Sequence, residues 1–349
     1  MRGDHSMNYW TRAAAGLFFA GIAAGAAQAQ AQDPSVEAFF RGKSVELIIG
    51  YPPGGSNDVY ARLLSSHLGK HIPGQPTIVA RNMPGAGSFL AANHMATVAA
   101  KDGLSISICA PTIALDEKLG TSGVRFKTAQ FNWVGRISPL VNIVMVSKKS
   151  SVKTVADAQK TEVTLAGTGV GSTVSIYPTV MNNMFGTKYK LIMGYKGSSE
   201  AMLAVERGEV EGHSTAWEAL KTAHPSWKAE GFVTLPVQFS LSLIAELPDV
   251  PSAIEFARTP DEKRVLEAIL NATEVGAAFF TTPGVPAERV TALRRAFDAT
   301  MRDPEFKADV EKIRVSFEPM KGEDLQKLVA QVSDLPADIT EQVRKVYQQ

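Results

Sequence analysis

The chain has 349 residues, of which 45% are hydrophobic and 20% are charged, and its formal net charge is +1. This balance gives no electrostatic reason to expect nucleic acid or a lipid surface as a partner. The single cysteine, Cys109, excludes a disulfide within the chain, and its apolar neighbours predict a position in the core.

The first 32 residues have the pattern of a secretory signal peptide. Arg12 precedes an apolar run over residues 13–27, and two small-x-small patterns between residues 27 and 31 are typical of a cleavage site. The run is shorter than the roughly 20 apolar residues that span a membrane. We therefore expect residues 1–32 to be cleaved on export, and no cysteine near the cleavage site supports a lipid anchor. A buried N-terminal helix is the alternative.

Short apolar runs alternate with amphipathic helical patterns from residue 33 onward. Strands are predicted at residues 45–50, 77–81, 105–109, 133–137, 141–146, 163–166, 189–193 and 232–237. Helices are predicted at residues 58–68, 89–98, 173–185, 199–207, 217–223, 261–271, 286–301, 304–313, 322–331 and 338–347. This alternation predicts an α/β fold with mostly parallel sheets flanked by helices.

The length of the remaining chain favours two lobes, because one hydrophobic core usually stops growing at roughly 250–300 residues. Two apolar stretches, residues 134–146 and 274–281, have the character of crossings between lobes. We therefore predict a first lobe from residues 33–138 plus 276–349 and a second lobe from residues 139–275.

Two glycine-rich turns, each between a predicted strand and a predicted helix, are the most informative local signal. The first is Tyr51-Pro52-Pro53-Gly54-Gly55-Ser56-Asn57-Asp58, and the second is Gly167-Thr168-Gly169-Val170-Gly171-Ser172-Thr173. A helix that starts in this way presents free backbone N–H groups and the positive end of its dipole. One such turn in each half of the chain favours a negatively charged ligand held between two lobes.

Motifs for cofactor or catalytic chemistry are incomplete. Glu37 stands where a phosphate-binding loop needs its first glycine, and Ser172 stands where the dinucleotide pattern needs its third. The sequence has no Gly-x-Ser-x-Gly elbow and no local signature of a Ser–His pair. His67 and His71 could form one edge of a metal site, but Leu68 replaces the glutamate of the zinc-protease pattern. We expect neither cofactor nor metal, and we take both histidines as exposed helix residues.

Six short motifs occur in order along the chain. They are Ile48-Ile49-Gly50-Tyr51-Pro52-Pro53-Gly54-Gly55-Ser56-Asn57-Asp58 with Ala61-Arg62-Leu63-Leu64, Asn82-Met83-Pro84-Gly85-Ala86-Gly87-Ser88 with Lys101-Asp102-Gly103, Tyr195-Lys196-Gly197, Arg207-Gly208-Glu209-Val210, Leu247-Pro248-Asp249-Val250-Pro251 and Pro283-Gly284-Val285-Pro286. Through these motifs the whole chain after residue 32 resembles the Bug-type solute receptors of the tripartite tricarboxylate transporter family.

The resemblance implies a hinged, two-lobe periplasmic binding protein with a type II-like fold, whose cleft closes on a carboxylate. It further implies a periplasmic location, membrane permease subunits as the partner, and no enzymatic activity. We expect a monomer and no nucleic-acid partner. Members of the family bind di- and tricarboxylates, acidic amino acids and aromatic acids, and the motifs do not choose among these ligands.

The first turn supplies seven candidate ligand-binding residues, which are Tyr51, Pro53, Gly54, Gly55, Ser56, Asn57 and Asp58. The glycines can direct N–H groups inward, and Ser56 and Asn57 add side-chain donors at the helix start. Asp58 cannot hold a carboxylate directly. It either caps and braces the loop or contacts a ligand hydroxyl, a ligand amine or a bridging water. An ordinary strand-to-helix turn is the alternative for the whole loop.

The remaining candidates are Thr168, Gly169, Gly171, Ser172 and Thr173 in the second turn, together with Gly87, Ser88, Thr112 and Trp217. Ser172 is a natural N-cap whose hydroxyl is used locally, so Thr173 is the better side-chain donor. Trp217 either lines the cleft as a flat apolar wall, which would favour a bulky or aromatic acid, or packs in the core. Arg62 and Lys196 are expected to be surface or bracing residues.

These observations predict a non-enzymatic receptor that binds an organic acid between two lobes and delivers it to a permease. A sensor that presents its bound ligand to a membrane signalling partner is the first alternative. An exported enzyme acting on a small acid is the second, and it lacks a recognisable arrangement of nucleophile and base.

Overall fold

The structure, a computed structural model, describes residues 34–169 and 171–347. The predicted signal peptide falls on residues 1–32, outside the described residues, and Val170 of the second glycine-rich turn also lies outside them. Within the described ranges, every helix is too short or too polar to span a bilayer.

The strands of the described residues form two sheets. They are β1 (Ser44–Ile49), β2 (Thr77–Asn82), β3 (Ser105–Ile108), β4 (Asn132–Arg136), β5 (Asn142–Ser147), β6 (Val163–Gly167), β7 (Tyr189–Met193), β8 (Gly212–Ala216), β9 (Val233–Phe239), β10 (Ala278–Thr281) and β11 (Met320–Lys321). The first sheet has the strand order β11-β4-β10-β3-β1-β2, and the second has the order β7-β6-β8-β5-β9.

Helices flank both sheets. They are α1 (Pro34–Phe40), α2 (Ser56–His67), α3 (Phe89–Thr97), α4 (Ile113–Leu119), α5 (Val155–Lys160), α6 (Thr173–Phe185), α7 (Ser198–Arg207), α8 (Trp217–Ala223), α9 (Pro260–Val275), α10 (Ala287–Arg302), α11 (Pro304–Ile313), α12 (Gly322–Ser333) and α13 (Ala337–Tyr347). Short 3-10 segments lie at Leu68–His71, Ala86–Ser88, Thr128–Gln130 and Ala253–Phe256. The predicted α/β architecture is confirmed.

The sheets are mixed, which corrects the expectation of mostly parallel sheets. Strand β1 pairs in parallel with β2 and β3, and β6 pairs in parallel with β7 and β8. Strands β4, β5, β9, β10 and β11 form only antiparallel pairs among the described strands. A strand that pairs in parallel with the strand before it needs a helical crossover between the two. The chain instead runs from β4 in the first sheet directly into β5 in the second sheet, without an intervening helix.

The chain passes between the sheets along two segments that lie side by side, residues 137–141 and residues 276–277. The N–H of Ile137 donates to the carbonyl of Ala277 over 3.1 Å, and the N–H of Ala277 donates to Ser138 over 2.9 Å. The N–H of Leu140 also donates to Thr273 over 3.0 Å. Both segments fall within the predicted crossings, while the exact lobe boundaries stay a prediction.

Every predicted strand and helix overlaps an observed one, but β8, β10, β11, α1, α4 and α5 are missing from the prediction. Strand β8 reads Gly212-His213-Ser214-Thr215-Ala216, so it lacks the bulky apolar residues by which strands are usually recognised. It is nevertheless central in its sheet and largely buried. Helix α5 does carry a local signal, since Thr154 and Asp157 form a capping box.

The apolar strand residues build the core beneath the site. In β1, Val45, Leu47, Ile48 and Ile49 are fully buried, as expected when helices cover both faces of a sheet. Cys109 follows β3 and is 4% exposed, and burial raises the pKa of its thiol to about 12. The predicted core position of this cysteine is confirmed.

Candidate ligand-binding site

Two adjoining cavities lie where the carboxyl ends of β1, β2 and β3 meet the carboxyl ends of β6, β7 and β8. The outer cavity has a volume of about 580 Å³, and the inner chamber has a volume of about 50 Å³. Both are lined by Tyr51, Gly55, Thr173, Val174 and Ser198. Ligands of open α/β sheets bind in such crevices outside the carboxyl ends of the strands.

Helices α2, α6 and α7 begin at residues that line these cavities. In the described structure their N-cap residues make no side-chain capping hydrogen bond, and these residues are Gly55, Ser172 and Gly197. Side chains cap three other helices, namely α5 by Thr154, α9 by Thr259 and α11 by Asp303. The N-cap residues of α3, α4, α8, α10 and α12 also make no side-chain capping hydrogen bond, so the missing caps are not confined to the cavities. The helix starts at the cavities therefore keep N–H donors for a ligand or water.

The α7 start belongs to a third glycine-rich turn, which the sequence prediction treats only as a family motif. Gly194-Tyr195-Lys196-Gly197 connects β7 to α7, and all four residues line the outer cavity. This turn repeats the pattern of the two predicted turns, because a strand is followed by glycines and then by a serine, Ser198, at the start of a helix. The same local signal was therefore present and could have identified this turn.

The first turn is braced by Asp58. Its carboxylate accepts hydrogen bonds from the N–H of Gly54 over 3.0 Å, from Arg62 over 3.0 Å and from Asn82 over 2.8 Å. Burial alone would raise the pKa of Asp58, but the hydrogen bonds from Arg62, Gly54 and Asn82 outweigh it and the pKa lies below its ordinary value. Asp58 is thus an ionised bracing group, and Arg62, which was expected to be a surface or bracing residue, braces the turn through it.

A loop with left-handed backbone forms one wall of the outer cavity. Ala86, Gly87 and Ser88 have φ angles of 46°, 61° and 77°. Such conformations cost of the order of 1–3 kcal/mol for non-glycine residues and persist only where their surroundings hold them. Ser88 is 2% exposed, and its hydroxyl donates to the carbonyl of Gly50 over 3.0 Å. Ser88 therefore anchors the loop to the end of β1.

The second turn uses its hydroxyl groups for its own structure. Ser172 Oγ donates to the carbonyl of Gly169 over 2.7 Å and accepts from Thr168 Oγ1 over 2.9 Å. The expected local use of the Ser172 hydroxyl is confirmed, although it bonds to the turn and not to the first helical N–H groups. Thr173 lines both cavities, so it remains the better placed hydroxyl donor.

The inner chamber has a polar lining without a carboxylate. Ser56, Asn57, Asn142 and Thr215 lie along its wall, and neither cavity has an aspartate or glutamate among its described lining residues. Asn57 is 7% exposed, and its Oδ1 atom has no partner among the described groups. Lys196 is the one cation among the described residues that line the outer cavity. The field around the cavities therefore favours an anion over a cation.

A serine–histidine pair, which no local signature predicts, adjoins both cavities. His213 Nδ1 lies 2.8 Å from the Ala166 carbonyl, and its Nε2 lies 3.3 Å from Ser198 Oγ. Because a carbonyl only accepts, Nδ1 carries the proton and Nε2 accepts from Ser198. Thr215 Oγ1 donates to Ser198 over 3.0 Å. Burial lowers the pKa of His213 to about 4, which makes it a weak general base near neutral pH.

The buried His213 predicts a specific dependence of stability on pH. Its pKa is about 4 in the folded protein and about 6.5 when unfolded, so the unfolded chain takes up the proton first as the pH falls. This contribution is fully present above pH 6.5 and is lost progressively toward pH 4, to the extent of roughly 3 kcal/mol. Urea unfolding across this range measures it.

The variant His213→Asn tests that prediction. His94→Asn is the matched control, because His94 lies at a half-buried position of α3. Asparagine can still donate to the carbonyl of Ala166 but does not titrate, so His213→Asn should flatten the profile between pH 6.5 and 4. His94→Asn should leave the slope as it is. Equal slopes in the wild type and His213→Asn would refute the assignment.

Turns from the two sheets touch at the rim of the outer cavity. Ser199 Oγ donates to the carbonyl of Gly54 over 3.3 Å. Gly87 faces Gly171, and a Cβ atom added to Gly87 would overlap the Gly171 carbonyl oxygen. The two backbones can approach so closely only because residue 87 is glycine, whereas a Cβ atom added to Gly171 would make ordinary contacts at 3.7 Å. The structure thus shows the two sides of the cleft in contact.

Of the predicted ligand-binding residues, ten line one or both cavities, namely Tyr51, Gly55, Ser56, Asn57, Gly87, Ser88, Thr168, Gly169, Ser172 and Thr173. Six others do not, and these are Pro53, Gly54, Asp58, Thr112, Gly171 and Trp217. Gly54 and Gly171 instead form the rim contacts, and Thr112 is fully buried beside Pro111, which lines the inner chamber.

The sequence left open whether Trp217 lines the cleft or packs in the core, and the structure places it in the core. It is 8% exposed and packs in the apolar cluster beside the second sheet. Its Nε1 atom donates to Glu246 over 2.6 Å. The neighbouring Ala216, at the end of β8, lines the inner chamber in its place. A one-residue shift at the strand end therefore separates a cavity position from a core position.

The histidines of α2 and its extension are not exposed helix residues, which corrects the expectation. His67 is 7% exposed and pairs with Asp309 over 2.9 Å, and His71 pairs with Asp303 over 2.8 Å. Among the described residues, His67, Asp303 and Glu305 form the one group with metal-ligand spacing. The ammonium of Lys70 lies 2.6 Å from the carboxylates of both Asp303 and Glu305, so a cationic side chain already occupies the space between them. The cluster ties α2 to α11.

A family model described as tripartite tricarboxylate transporter family receptor matches residues 60–344. The chain belongs to this receptor family. A UPF0065 protein of Cupriavidus necator is 31% identical over 205 residues, which cover 54% of this chain and 57% of that relative. The aligned part thus spans less than two thirds of that relative. A UPF0065 protein of Bordetella bronchiseptica is 26% identical over 81% of this chain and 78% of its own length.

Solved structures show the same fold. The periplasmic binding protein BugD superposes with a TM-score of 0.70 at 19% identity, over 89% of this chain and 100% of that chain. Rpa4515 of R. palustris with adipate gives 0.68 at 21% identity, over 88% and 99%. MatC from Rhodopseudomonas palustris with bound malate gives 0.66 at 20% identity, over 86% and 100%. The predicted two-lobe solute-receptor fold is confirmed.

Proposed function

We propose that the protein is a periplasmic, non-enzymatic receptor that binds an organic acid in the cleft and delivers it to the permease of a tripartite tricarboxylate-type transporter. Membership of the receptor family supports the transport role and the periplasmic location. Adipate and malate in two structures of the same fold support a carboxylate as the ligand. We further propose that the receptor acts as a monomer.

The convergence of three uncapped helix starts carries this proposal. Helices α2, α6 and α7 begin around the inner chamber, with Ser56, Thr173 and Ser198 on its wall. The described lining contains no carboxylate that would repel an anion. We propose that one carboxylate of the ligand occupies the inner chamber, facing these first-turn N–H groups, and that the rest of the ligand extends into the outer cavity.

Simple energetics show what else the site must supply. One helix N-terminus stabilises an anion by about 0.3–2 kcal/mol, whereas a micromolar dissociation constant requires about 8 kcal/mol. Even three helix starts therefore provide only part of the affinity. Hydrogen bonds from the polar wall and desolvation of the ligand on closure must contribute the rest.

Closure itself is part of the proposal. We propose that residues 33–138 plus 276–349 form one lobe and residues 139–275 form the other. The paired crossing segments would act as the hinge, because a few residues at element ends can absorb a rigid-body rotation. The rim contacts of Gly54 with Ser199 and of Gly87 with Gly171 support such a closed arrangement.

The role as a receptor, and not an enzyme, rests on the weakness of the serine–histidine pair that the described residues place at the site. The Nδ1 proton of His213 is held by the carbonyl of Ala166 and not by a carboxylate, as an acyl-transfer triad would require. With its pKa lowered to about 4, the imidazole would accept a serine proton poorly. A pair of this kind serves better to position Ser198.

A thermal-shift screen tests the proposal. The purified protein is heated with each member of a library of organic acids and with the matching amides. A ligand that binds only the native state stabilises it by about 2.7 kcal/mol at a concentration one hundred times its dissociation constant. We expect one class of acids to raise the melting temperature by several degrees while the amides do not.

The opposite pattern would refute the proposal. If neutral or cationic compounds raised the melting temperature and acids did not, the helix starts would not be an anion site. Incubation of each stabilising acid with the protein, followed by mass spectrometry, checks the receptor role, since recovery of the unchanged acid is expected.

A further inference from the structure

A separate pocket of about 340 Å³ lies at the crossing segments and shares none of its described lining residues with the ligand cavities. We call it the crossing pocket. Ser138, Pro139 and Glu274 contribute from the crossings, Glu218 and residues 240–246 from the second sheet's side, and Ser316 and Glu318 from the segment before β11. Both sides of the molecule therefore build it.

The crossing pocket has an excess of negative charge. Its carboxylates are those of Glu218, Glu246, Glu274 and Glu318. Lys221 lies 2.8 Å from Glu246 and 3.6 Å from Glu218. Arg136 lies 3.6 Å from Glu274. Four carboxylates thus face two nearby cations, which leaves the pocket suited to additional positive charge.

Two buried polar atoms in the wall lack a hydrogen-bond partner among the described groups. Glu218 is 3% exposed, and its Oε1 atom accepts from Ser316 over 2.7 Å, whereas Oε2 has no partner. Ser138 is 1% exposed, and its Oγ atom is also unpartnered. Burial raises the pKa of Glu218. Buried polar atoms without partners are uncommon and costly, so an N–H donor in the pocket would stabilise both.

The remaining lining distinguishes an organic cation from a metal ion. A compact metal site requires ligand oxygens that lie close to one another. In the described structure, no three of these carboxylates have oxygen atoms that all lie within 4.8 Å of one another. Leu241, Leu243 and Ile244 line the same pocket, and Leu243 is 47% exposed. An apolar wall beside carboxylates matches a charged head group on a short hydrocarbon chain.

We propose that the crossing pocket binds a small organic ammonium ion, whose N–H groups donate to Glu218 and Ser138 and whose alkyl chain packs on Leu241, Leu243 and Ile244. Because Ser316 and Glu318 approach from one side and Glu218 from the other, the width of the pocket depends on the angle between the two sides. Occupancy would therefore be linked to the closure of the cleft.

Titration of the purified protein with n-butylamine, followed by NMR and calorimetry, tests the site without an organic acid in the sample. Butan-1-ol has the same chain without charge, and magnesium chloride supplies a cation without a chain. We expect saturable binding of butylamine, binding of butan-1-ol weaker by about tenfold or more, and no competition by magnesium at equal ionic strength. This assay is independent of the organic-acid screen. A negative result in one experiment therefore does not affect the interpretation of the other.

Two variants with opposite expected effects locate the site. Glu218→Gln removes the buried charge and should weaken butylamine binding by about tenfold. Lys221→Met removes a competing ammonium and should strengthen it by about threefold or more. Glu162→Gln is the matched control, because Glu162 pairs with Lys190 at an exposed position and should leave binding unchanged. A general loss of folding would not produce a gain in Lys221→Met.

The results that would overturn the proposal are equally specific. They are an absence of saturable butylamine binding, equal binding of butan-1-ol, displacement by magnesium, or unchanged affinity in both Glu218→Gln and Lys221→Met. If Glu218→Gln lowers the melting temperature too far for titration, Lys221→Met and Glu318→Gln decide the question. Glu318→Gln removes an exposed lining carboxylate and should weaken binding by about threefold.

Discussion

Replacing Gly55 with aspartate is expected to abolish binding of the organic acid while leaving the fold intact. Gly55 lines both cavities and is the N-cap of α2, with φ −87° and ψ 168°, a conformation open to any residue. A Cβ atom added there meets nothing within 4 Å. The new carboxylate would face the ligand carboxylate, and two charges 4 Å apart repel by about 4 kcal/mol at an effective dielectric constant of 20.

The affinity of the Gly55→Asp variant should therefore fall by about a thousandfold, as measured by calorimetry with the acid found in the screen. Gly55→Asn is the matched control, since both residues are good N-caps of similar size and only one is charged. It should bind within about tenfold of the wild type, and both variants should keep the wild-type melting temperature. Equal affinities of the two variants would show that the ligand carboxylate does not lie at the start of α2.

Replacing Gly87 with alanine is expected to prevent closure of the cleft. Gly87 has a φ of 61°, and its added Cβ atom would overlap the carbonyl oxygen of Gly171. The rim would then be held open, so the ligand would bind only the open form. We expect the affinity for the acid to fall by about tenfold or more. Small-angle scattering should show that the acid reduces the radius of gyration of the wild type but not of this variant.

Gly208→Ala separates closure from backbone strain. Gly208 follows α7 with a φ of 75°, and a Cβ atom added there meets nothing within 4 Å. Both alanine variants should lose about 1 kcal/mol of stability, because alanine is strained in the left-handed region. Only Gly87→Ala should lose affinity and compaction. Equal affinity in both variants would argue against the rim contact as part of closure.

The helix starts of the site were predictable because their signal is local. A strand ending, two glycines and a serine within a few residues predict a helix N-terminus with free donors, as in the turn that carries Gly55 and the turn that carries Ser172. The α7 start at Ser198 obeys the same rule and differs only in a more polar strand before it.

The direction of individual side chains was not predictable in the same way. The sequence left Asp58 undecided between ligand contact and bracing, and its bonds to Gly54, Arg62 and Asn82 decide for bracing. Asn82 comes from the neighbouring strand β2, so this choice depends on the pairing of β1 with β2. Trp217 was undecided for a similar reason, since only the register of β8 places Ala216 at the chamber and Trp217 in the core.

Local pattern alone accounts for the α/β class, the helix starts and the family motifs, because strand and helix periods and glycine conformations depend on near neighbours in sequence. The folded arrangement had to decide the rest. It brings Ser198 beside His213, places Gly87 against Gly171 and gathers Glu218 with Glu318 at the crossings. Each of these pairs joins residues from separate elements, and their meeting follows from sheet order and lobe contact, which no short stretch of sequence contains.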